Sequence, residues 1–359
     1  MNVVLLYGGR SAEHEVSLVS AAGILPELAR MPEMEVLLIG ITRGGLWYRQ
    51  DRSDQLDNAR HKGALSIEAN PESALVVVPG RGIALAGGSV LEADCVFPVL
   101  HGTYGEDGTI QGLLETAHLP YVGSGVTGSS VGMDKLRAKQ LWERNGLPVV
   151  PYVAVRDNNP VLADEMIRAR FGYPVFVKPN AAGSSIGISR VEDAPSLAAA
   201  IARALTVDGT VLIEKAFPIR EIETSLLGNR APRTFPPGEV IPRHQFYDYD
   251  AKYTDPEGAR LVIPADLDAG TVGKIQEICA AAFEAVDAAG LARVDCFLNT
   301  DTGAVYLNEI NTIPGFTPIS MYPKMVEYGG VSYGDLLREL IRLALERSSE
   351  RTRRDYHAR

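Results

Sequence analysis

Short apolar runs, each broken off by glycine or a polar cluster, alternate along this chain with stretches whose apolar positions recur at helical spacing. The first run predicts a strand over 2–7, ended by Gly8-Gly9, with a helical pattern opening at Ser11. A second strand near 35–41 and a buried-type strand over 95–100 continue an α/β beginning. A helix is expected near Thr109. The Gly/Ser-rich stretch 121–130 reads as a connection, and the first domain boundary is placed there, after residue 122. Met133-Asp134-Lys135 begins a helix to about Asn145, closed by Gly146 with Pro148 beyond. Strands are expected over 149–155 and 175–179 with a helix over 161–170 between them, then a strand over 211–217 and a strand-like run over 223–227. A polar-aromatic stretch, 245–258, separates these from an ordered run at 259–263 and is a candidate lid. A helix over about 269–289 leads into a hairpin, 294–298 and 304–307, turning at 299–303. A last helix starts at Tyr333 and fades into a charged tail, 348–359, expected to fray.

Composition narrows the class. With 359 residues, 46% hydrophobic and 22% charged, the chain is long enough for two or three globular domains. A net charge of -10 argues against nucleic acid as the main partner but not against a nucleotide, which needs only a local cluster of positive groups. No apolar run is long enough to span a bilayer, and 3–7 runs straight into glycine without a signal-peptide pattern. Cys95, Cys279 and Cys296 are scattered singly in apolar surroundings and read as buried free thiols, so a reducing cytosol is the expected compartment.

The candidate chemistry centres on the hairpin. Glu309 and Asn311 are two apart and face the same way on extended chain. If Asp295 lies opposite them, three oxygen ligands converge with no nitrogen or sulfur ligand near, a set suited to Mg²⁺. Arg293 shares the face of Asp295, and an arginine beside such a metal suits phosphate. Lys178 ends a strand just before the Gly/Ser loop of Gly183, Ser184, Ser185 and Gly187; a point charge followed by backbone and hydroxyl donors can grip phosphate, although the order is not that of a Walker A loop. Glu214, Lys215 and Phe217 stand at a strand end, with Glu221 seven residues after Glu214; such ends can read an adenine edge and ribose hydroxyls. Glu13 can complement a helix dipole or receive an ammonium group. His101 lies among glycines and two acids after a strand, where open α/β sheets place ligands.

Several motifs fall together: SAEHEVS, HGTYGEDGTIQG, GSGVTGSSVGMDK, VKPNAAGSSIG, EKAF, YDYDAKY and NEINTIPGF. With them the chain resembles the D-alanine–D-alanine ligases of the ATP-grasp superfamily over nearly its full length. The resemblance implies an α/β and α+β fold: an N-terminal Rossmann-like domain (1–122), then a central (123–214) and a C-terminal (215–359) ATP-grasp subdomain, the last with lid and metal site. It implies ATP-dependent joining of two D-alanines through a D-alanyl phosphate, releasing ADP and phosphate, for peptidoglycan precursors. D-alanine–D-lactate ligation and a non-catalytic ATP-binding regulator are the alternatives.

Residue by residue, the resemblance gives Lys135 and Lys178 to the ATP phosphates, with Ser184 and Ser185 closing on the γ-phosphate and Lys252 reaching in from the lid. Glu214, with Lys215 and the backbone to Phe217, would take adenine and Glu221 the ribose; Phe297, Asn308 and Glu309 complete the nucleotide set. Asp295, Glu309 and Asn311 would hold two Mg²⁺ or Mn²⁺ ions, and a monovalent cation is left open. Glu13 would take the ammonium of the first D-alanine with His101 nearby, and Arg293 would face the tetrahedral intermediate. Gly315, Ser320 and Met321 would hold the second substrate. Tyr253 stands where depsipeptide-forming relatives differ, and a triad of Glu13, Ser184 and Tyr253 is expected. A cytoplasmic homodimer through the N-terminal domain, with neither nucleic acid nor membrane as partner, completes the expectation.

Overall fold

The computed structural model describes residues 1–183, 186–242 and 258–353. Ser184, Ser185, Lys252, Tyr253 and most of the candidate lid lie outside these residues.

The chain opens with β1 (Asn2–Gly8), α1 (His14–Ala29), β2 (Glu35–Ile41), β3 (Trp47–Gln50), α2 (Arg52–Lys62), β4 (Ala74–Val78), β5 (Gly82–Leu85), β6 (Cys95–Val99) and α3 (Thr109–Thr116). Their strands form a sheet in the order β5-β4-β3-β2-β1-β6. β1 pairs parallel with both β2 and β6. Val3 to Tyr7 are fully buried, as a central parallel strand covered on both faces requires. The antiparallel extension β3–β5 was not expected from sequence, its first strand being short and partly exposed.

The middle of the chain gives α4 (Val126–Met133), α5 (Lys135–Arg144), β7 (Tyr152–Val155), α6 (Pro160–Arg170), β8 (Val175–Pro179), β9 (Ser189–Val191), α7 (Ala194–Leu205) and β10 (Val211–Lys215). The sheet is β7-β10-β8-β9, with antiparallel neighbours. Two expectations are corrected here. The stretch 121–130 is not only a connection, because α4 starts inside it, and the helix expected from Met133 is two helices separated at Asp134. Asp134 has extended backbone and caps α5, its Oδ1 accepting from Arg137 N at 2.9 Å. The glycines of α4 are poor helix formers, but Gly128 lies against the Asp287 carbonyl and Gly132 against Thr312, so close packing overrides propensity.

The rest is β11 (Ile219–Gly228), β12 (Arg233–Thr234), β13 (Gly238–Pro242), β14 (Ala259–Val262), α8 (Ala269–Ala285), β15 (Gly290–Asn299), β16 (Val305–Asn311), α9 (Met321–Tyr328) and α10 (Tyr333–Thr352). The sheet runs β14-β13-β11-β15-β16, with β12 beside β11. α8 stops short of the expected 289 because Asp287 and Gly290 take positive φ, which turns the chain into β15. Glu221 lies within β11, not ahead of it. One core cluster joins the first sheet to α9, α10 and the Phe235 region, and Phe316 packs between Phe97 and Tyr322. That docking brings the third sheet against the first.

Candidate active site

A cavity of about 1410 Å³ lies where the three sheets meet. Its walls include Glu13 and His101, Lys135 and Lys178, Glu214 and Glu221, and Arg293, Asp295, Glu309 and Asn311.

The hairpin places Asp295 opposite Glu309 and Arg293 opposite Asn311, with a bulge between Asp295 and Cys296. The alternation of extended chain turns all four toward the cavity. Arg293 grips Asp295 with two bonds, Nε to Oδ1 and Nη2 to Oδ2, both 2.7 Å. It also lies 3.1 Å from Glu223 on β11. Burial works against the guanidinium charge, but the Asp295 and Glu223 carboxylates outweigh it and hold the pKa well above its usual value. Asn311 Nδ2 donates to Asp295 Oδ2 at 3.0 Å. Glu309 Oε2 meets Lys135 Nζ at 3.0 Å. Each carboxylate of the expected metal set is therefore matched by a cation of the chain itself. Two carboxylates and one amide fit a hard cation that takes its remaining ligands from water and phosphate oxygens. Among the described residues no group of three His, Cys, Asp or Glu gathers into a complete protein cage.

Lys135, at the start of α5, also donates to the Ala182 carbonyl at 2.9 Å, beside the Gly/Ser loop. Burial opposes its charge, yet Glu309 keeps its pKa above the ordinary value. Lys178, ending β8, lies 2.8 Å from Glu214 Oε2 and donates to Asn308 Oδ1 at 3.1 Å. Burial pushes its pKa down to about 8, against the pull of Glu214 and with repulsion from Lys139 and Lys135 adding to it. The other Glu214 oxygen lies 2.9 Å from Lys139, whose side chain has no exposure. Glu214 thus sits between two lysines, which sequence did not suggest for an adenine-reading residue. Burial raises its pKa, but Lys139 and Lys178 together bring it below the usual range. Lys215 is tied to the Tyr173 carbonyl at 2.9 Å. Phe217 packs on Tyr306 with ring centroids 5.3 Å apart. Glu221 pairs across the sheet with Phe297, and both line the cavity.

At the opposite end Glu13 occupies the N-cap position of α1 and is buried. A Cβ on Gly102 would stand 2.5 Å from Glu13 Oε2, and one on Gly183 2.9 Å from the same atom. The carboxylate therefore sits where Gly102 and Gly183 approach the start of α1. His101 Nδ1 lies 3.0 Å from the Ile313 carbonyl, to which it must donate. Its Nε2 lies 3.1 Å from Ser20 Oγ, which also accepts from Phe316 N. The serine proton is then free to point at the ring, giving a neutral Nδ1–H tautomer, and burial lowers the pKa in the same sense. Ser320 precedes α9 at its N-cap position, but its hydroxyl turns away from the helix and accepts from Thr317 N at 3.0 Å; Gly315 lies against that hydroxyl, and the side chain of Met321 is buried.

Two residues in this site were absent from the sequence assignment. Glu106 accepts from Gly102 N at 2.8 Å and from Ile313 N at 3.1 Å, and burial, then the charge of Glu13, raises its pKa to about 8. It was read only as an acid in a glycine-rich loop. Lys139 stands four residues after Lys135, on the same helix face, and that spacing was the available signal.

Residues 2–124 match the family described as D-ala D-ala ligase N-terminus, and residues 141–342 the one described as D-ala D-ala ligase C-terminus. A D-alanine–D-alanine ligase of Treponema denticola is 44% identical, covering 97% of this chain and 96% of its own. The solved D-alanine–D-alanine ligase of Coxiella burnetii is similar at TM-score 0.83 and 34% identity, covering 98% of this chain and 96% of that one. The VanG D-Ala:D-Ser ligase of Enterococcus faecalis is similar at TM-score 0.83 and 34% identity, covering 96% of this chain and 99% of that one.

Proposed function

The chain belongs to the D-alanine–D-alanine ligase family, with the family's ATP-grasp fold, and on that premise we propose that it joins two D-alanines at the expense of ATP for peptidoglycan synthesis. The observation that carries this reading is the convergence in one cavity of paired lysines and an acidic hairpin at one end with a buried carboxylate, Glu13, at the other. The first end suits a triphosphate and the second an amino acid.

In this reading the carboxylate of the first D-alanine attacks the γ-phosphate, forming D-alanyl phosphate and ADP. The amine of the second attacks the acyl carbon, and inorganic phosphate leaves. Two unit charges 4 Å apart repel by about 4 kcal/mol at an effective dielectric near 20, close to a thousandfold in rate at about 1.4 kcal/mol per tenfold. Lys135 and Lys178 offset that repulsion from the nucleotide side. Asp295, Glu309 and Asn311 would hold divalent cations, Mg²⁺ or Mn²⁺, which when bound neutralise charge on the transferring phosphoryl group. Phe217, Glu221, Phe297 and Asn308 form the nucleotide wall, with Glu214 acting through Lys178. Glu13 takes the ammonium of the first D-alanine, and neutral His101 fixes the loop that frames it. Arg293, anchored by Asp295, faces the oxyanion of the second step. Gly315, Ser320 and the Met321 backbone receive the second carboxylate. Ser184, Ser185, Lys252 and Tyr253 are assigned by resemblance, as is the homodimer. Domain boundaries near 122 and 214 belong to the same proposal. Among the described residues no helix is long and apolar enough to cross a membrane.

A coupled ADP-release assay with D-alanine, D-serine, D-lactate and L-alanine, followed by product analysis, tests this function. D-alanyl-D-alanine should dominate. ADP release that ignores D-alanine, or a depsipeptide as main product, would refute it.

A further inference from the structure

Lys139 is a fully buried ammonium that does not line the cavity. It reaches Glu214 Oε1 at 2.9 Å from α5, while Lys178 reaches Oε2 at 2.8 Å from β8. Its other partner is the Leu307 carbonyl at 3.4 Å, on the strand that carries Asn308 and Glu309. One carboxylate is thus shared by two ammonium groups, and the buried trio carries a net positive charge.

Such a trio is a poor stabilising device. A balanced buried ion pair is often no better than apolar packing, and an uncompensated buried charge is worse. The surplus becomes intelligible if an anion from outside the chain completes the cluster. Of the three members, Lys178 and Glu214 face the cavity and Lys139 lies behind them. Without Lys139 the two facing groups would cancel, and the carboxylate would occupy the ammonium an anionic ligand needs.

We propose that Lys139 is a positioning residue for the triphosphate: it balances Glu214 from behind and leaves the charge of Lys178 available to the nucleotide. Lys139 touches no substrate. Its effect passes through Glu214 to Lys178 and scales with the negative charge of the ligand. After burial, repulsion from Lys139 also lowers the pKa of Lys178, so the two ammonium groups sense each other across Glu214. This inference rests on the reading of the cavity as an ATP site.

Calorimetric titration of the full chain with a non-hydrolysable ATP analogue and with adenosine, at fixed Mg²⁺, separates the possibilities. Lys139→Met should weaken the ATP analogue about 30-fold, which is about 2 kcal/mol at 1.4 kcal/mol per tenfold, and adenosine by less than about threefold. Turnover at saturating ATP should change less than the KM for ATP. Glu214→Gln removes the charge that Lys139 balances, so adding Lys139→Met to Glu214→Gln should cost little more. Equal losses for the analogue and adenosine, or an undiminished loss in the Glu214→Gln background, would overturn the proposal. If Lys139→Met alone does not fold, the comparison of Glu214→Gln with the double variant still decides: a further loss beyond about tenfold rejects it. Wild-type protein that binds no ATP analogue would reject the nucleotide site itself, and this inference with it.

Discussion

Lys178 provides a prediction whose size follows from its surroundings. Its pKa falls from 10.5 to about 8, so burial, against the pull of Glu214, disfavours its charged form by about 2.5 units. At 1.36 kcal/mol per unit that is about 3 kcal/mol. A phosphate oxygen about 4 Å away returns about 4 kcal/mol at an effective dielectric of 20, enough to bring the pKa in the complex back to about 10 or above. Affinity for an ATP analogue should therefore be level below pH 8 and fall about tenfold per pH unit above it, until the pKa of the complex is reached. Between pH 7 and pH 9 the loss is about tenfold. The sign follows from the direction of the shift, because binding favours the protonated lysine and high pH removes that proton from the free protein first. Calorimetric titration over pH 6.5–9.5 at constant ionic strength measures it. Lys178→Arg, whose guanidinium keeps its proton throughout, should give a level profile. A wild-type profile that stays level to pH 9.5, or the same fall in the arginine variant, would show that Lys178 is not the group that meets the phosphates.

Three further outcomes are expected. Glu309→Gln should lower turnover at least about a hundredfold with the chain still folded by circular dichroism, because it removes a charge needed for divalent cations; Mg²⁺ titration at near wild-type rates would contradict the assignment. Gly102→Ala should raise the KM of the first D-alanine by about tenfold or more and leave ATP affinity alone, since its Cβ would stand 2.5 Å from the Glu13 carboxylate at a φ of +73°; initial rates at two fixed ATP levels measure it, and equal effects on both substrates would place Glu13 wrongly. Glu106 has a raised pKa, so its contribution to stability is complete below its unfolded value near 4.5 and is lost as pH rises to about 8. Between pH 5.5 and pH 7.5 that amounts to about 2–3 kcal/mol, which Glu106→Gln should remove from the difference in urea unfolding free energy between the two pH values; parallel profiles for the two proteins would count against a proton-holding Glu106.

The parts of the molecule that were legible in sequence are those fixed by local periodicity. A strand repeats every two residues, so Glu309 and Asn311 had to share a face. The turn at 299–303 then returned Asp295 opposite Glu309, as the pairing records. Likewise the apolar run ended by Gly8-Gly9 reads as a strand, and the structure makes it a central, fully buried one. Local pattern failed where tertiary contacts decide. The helix Val126–Met133 is built from glycine and serine that predict a loop, and it exists because small residues let it lie against Asp287 and Thr312. Lys139 has no local signal beyond its spacing from Lys135, because the carboxylate that holds it comes 75 positions later, on the strand Val211–Lys215.

The two ends of the cavity differ in how they depend on the fold. The end proposed for phosphate draws Arg293, Asp295, Glu309 and Asn311 from one hairpin, with Lys135 and Lys178 brought up beside it. The end proposed for the amino acid has no such local unit. Ile313 N and its carbonyl hold Glu106 and His101, and Phe316 N donates to Ser20 Oγ. Each of these bonds spans more than 200 residues of chain and crosses from the first sheet to the loop after the third. Glu13 is framed only while that docking persists, because the Gly102 backbone beside it is held by Glu106, and Glu106 is held in turn by Ile313. A chain that loosens at this junction loses the frame around Glu13 while its hairpin ligands keep their register. The hairpin side chains thus depend on local strand pairing, whereas the frame around Glu13 depends on the first and third sheets closing on each other.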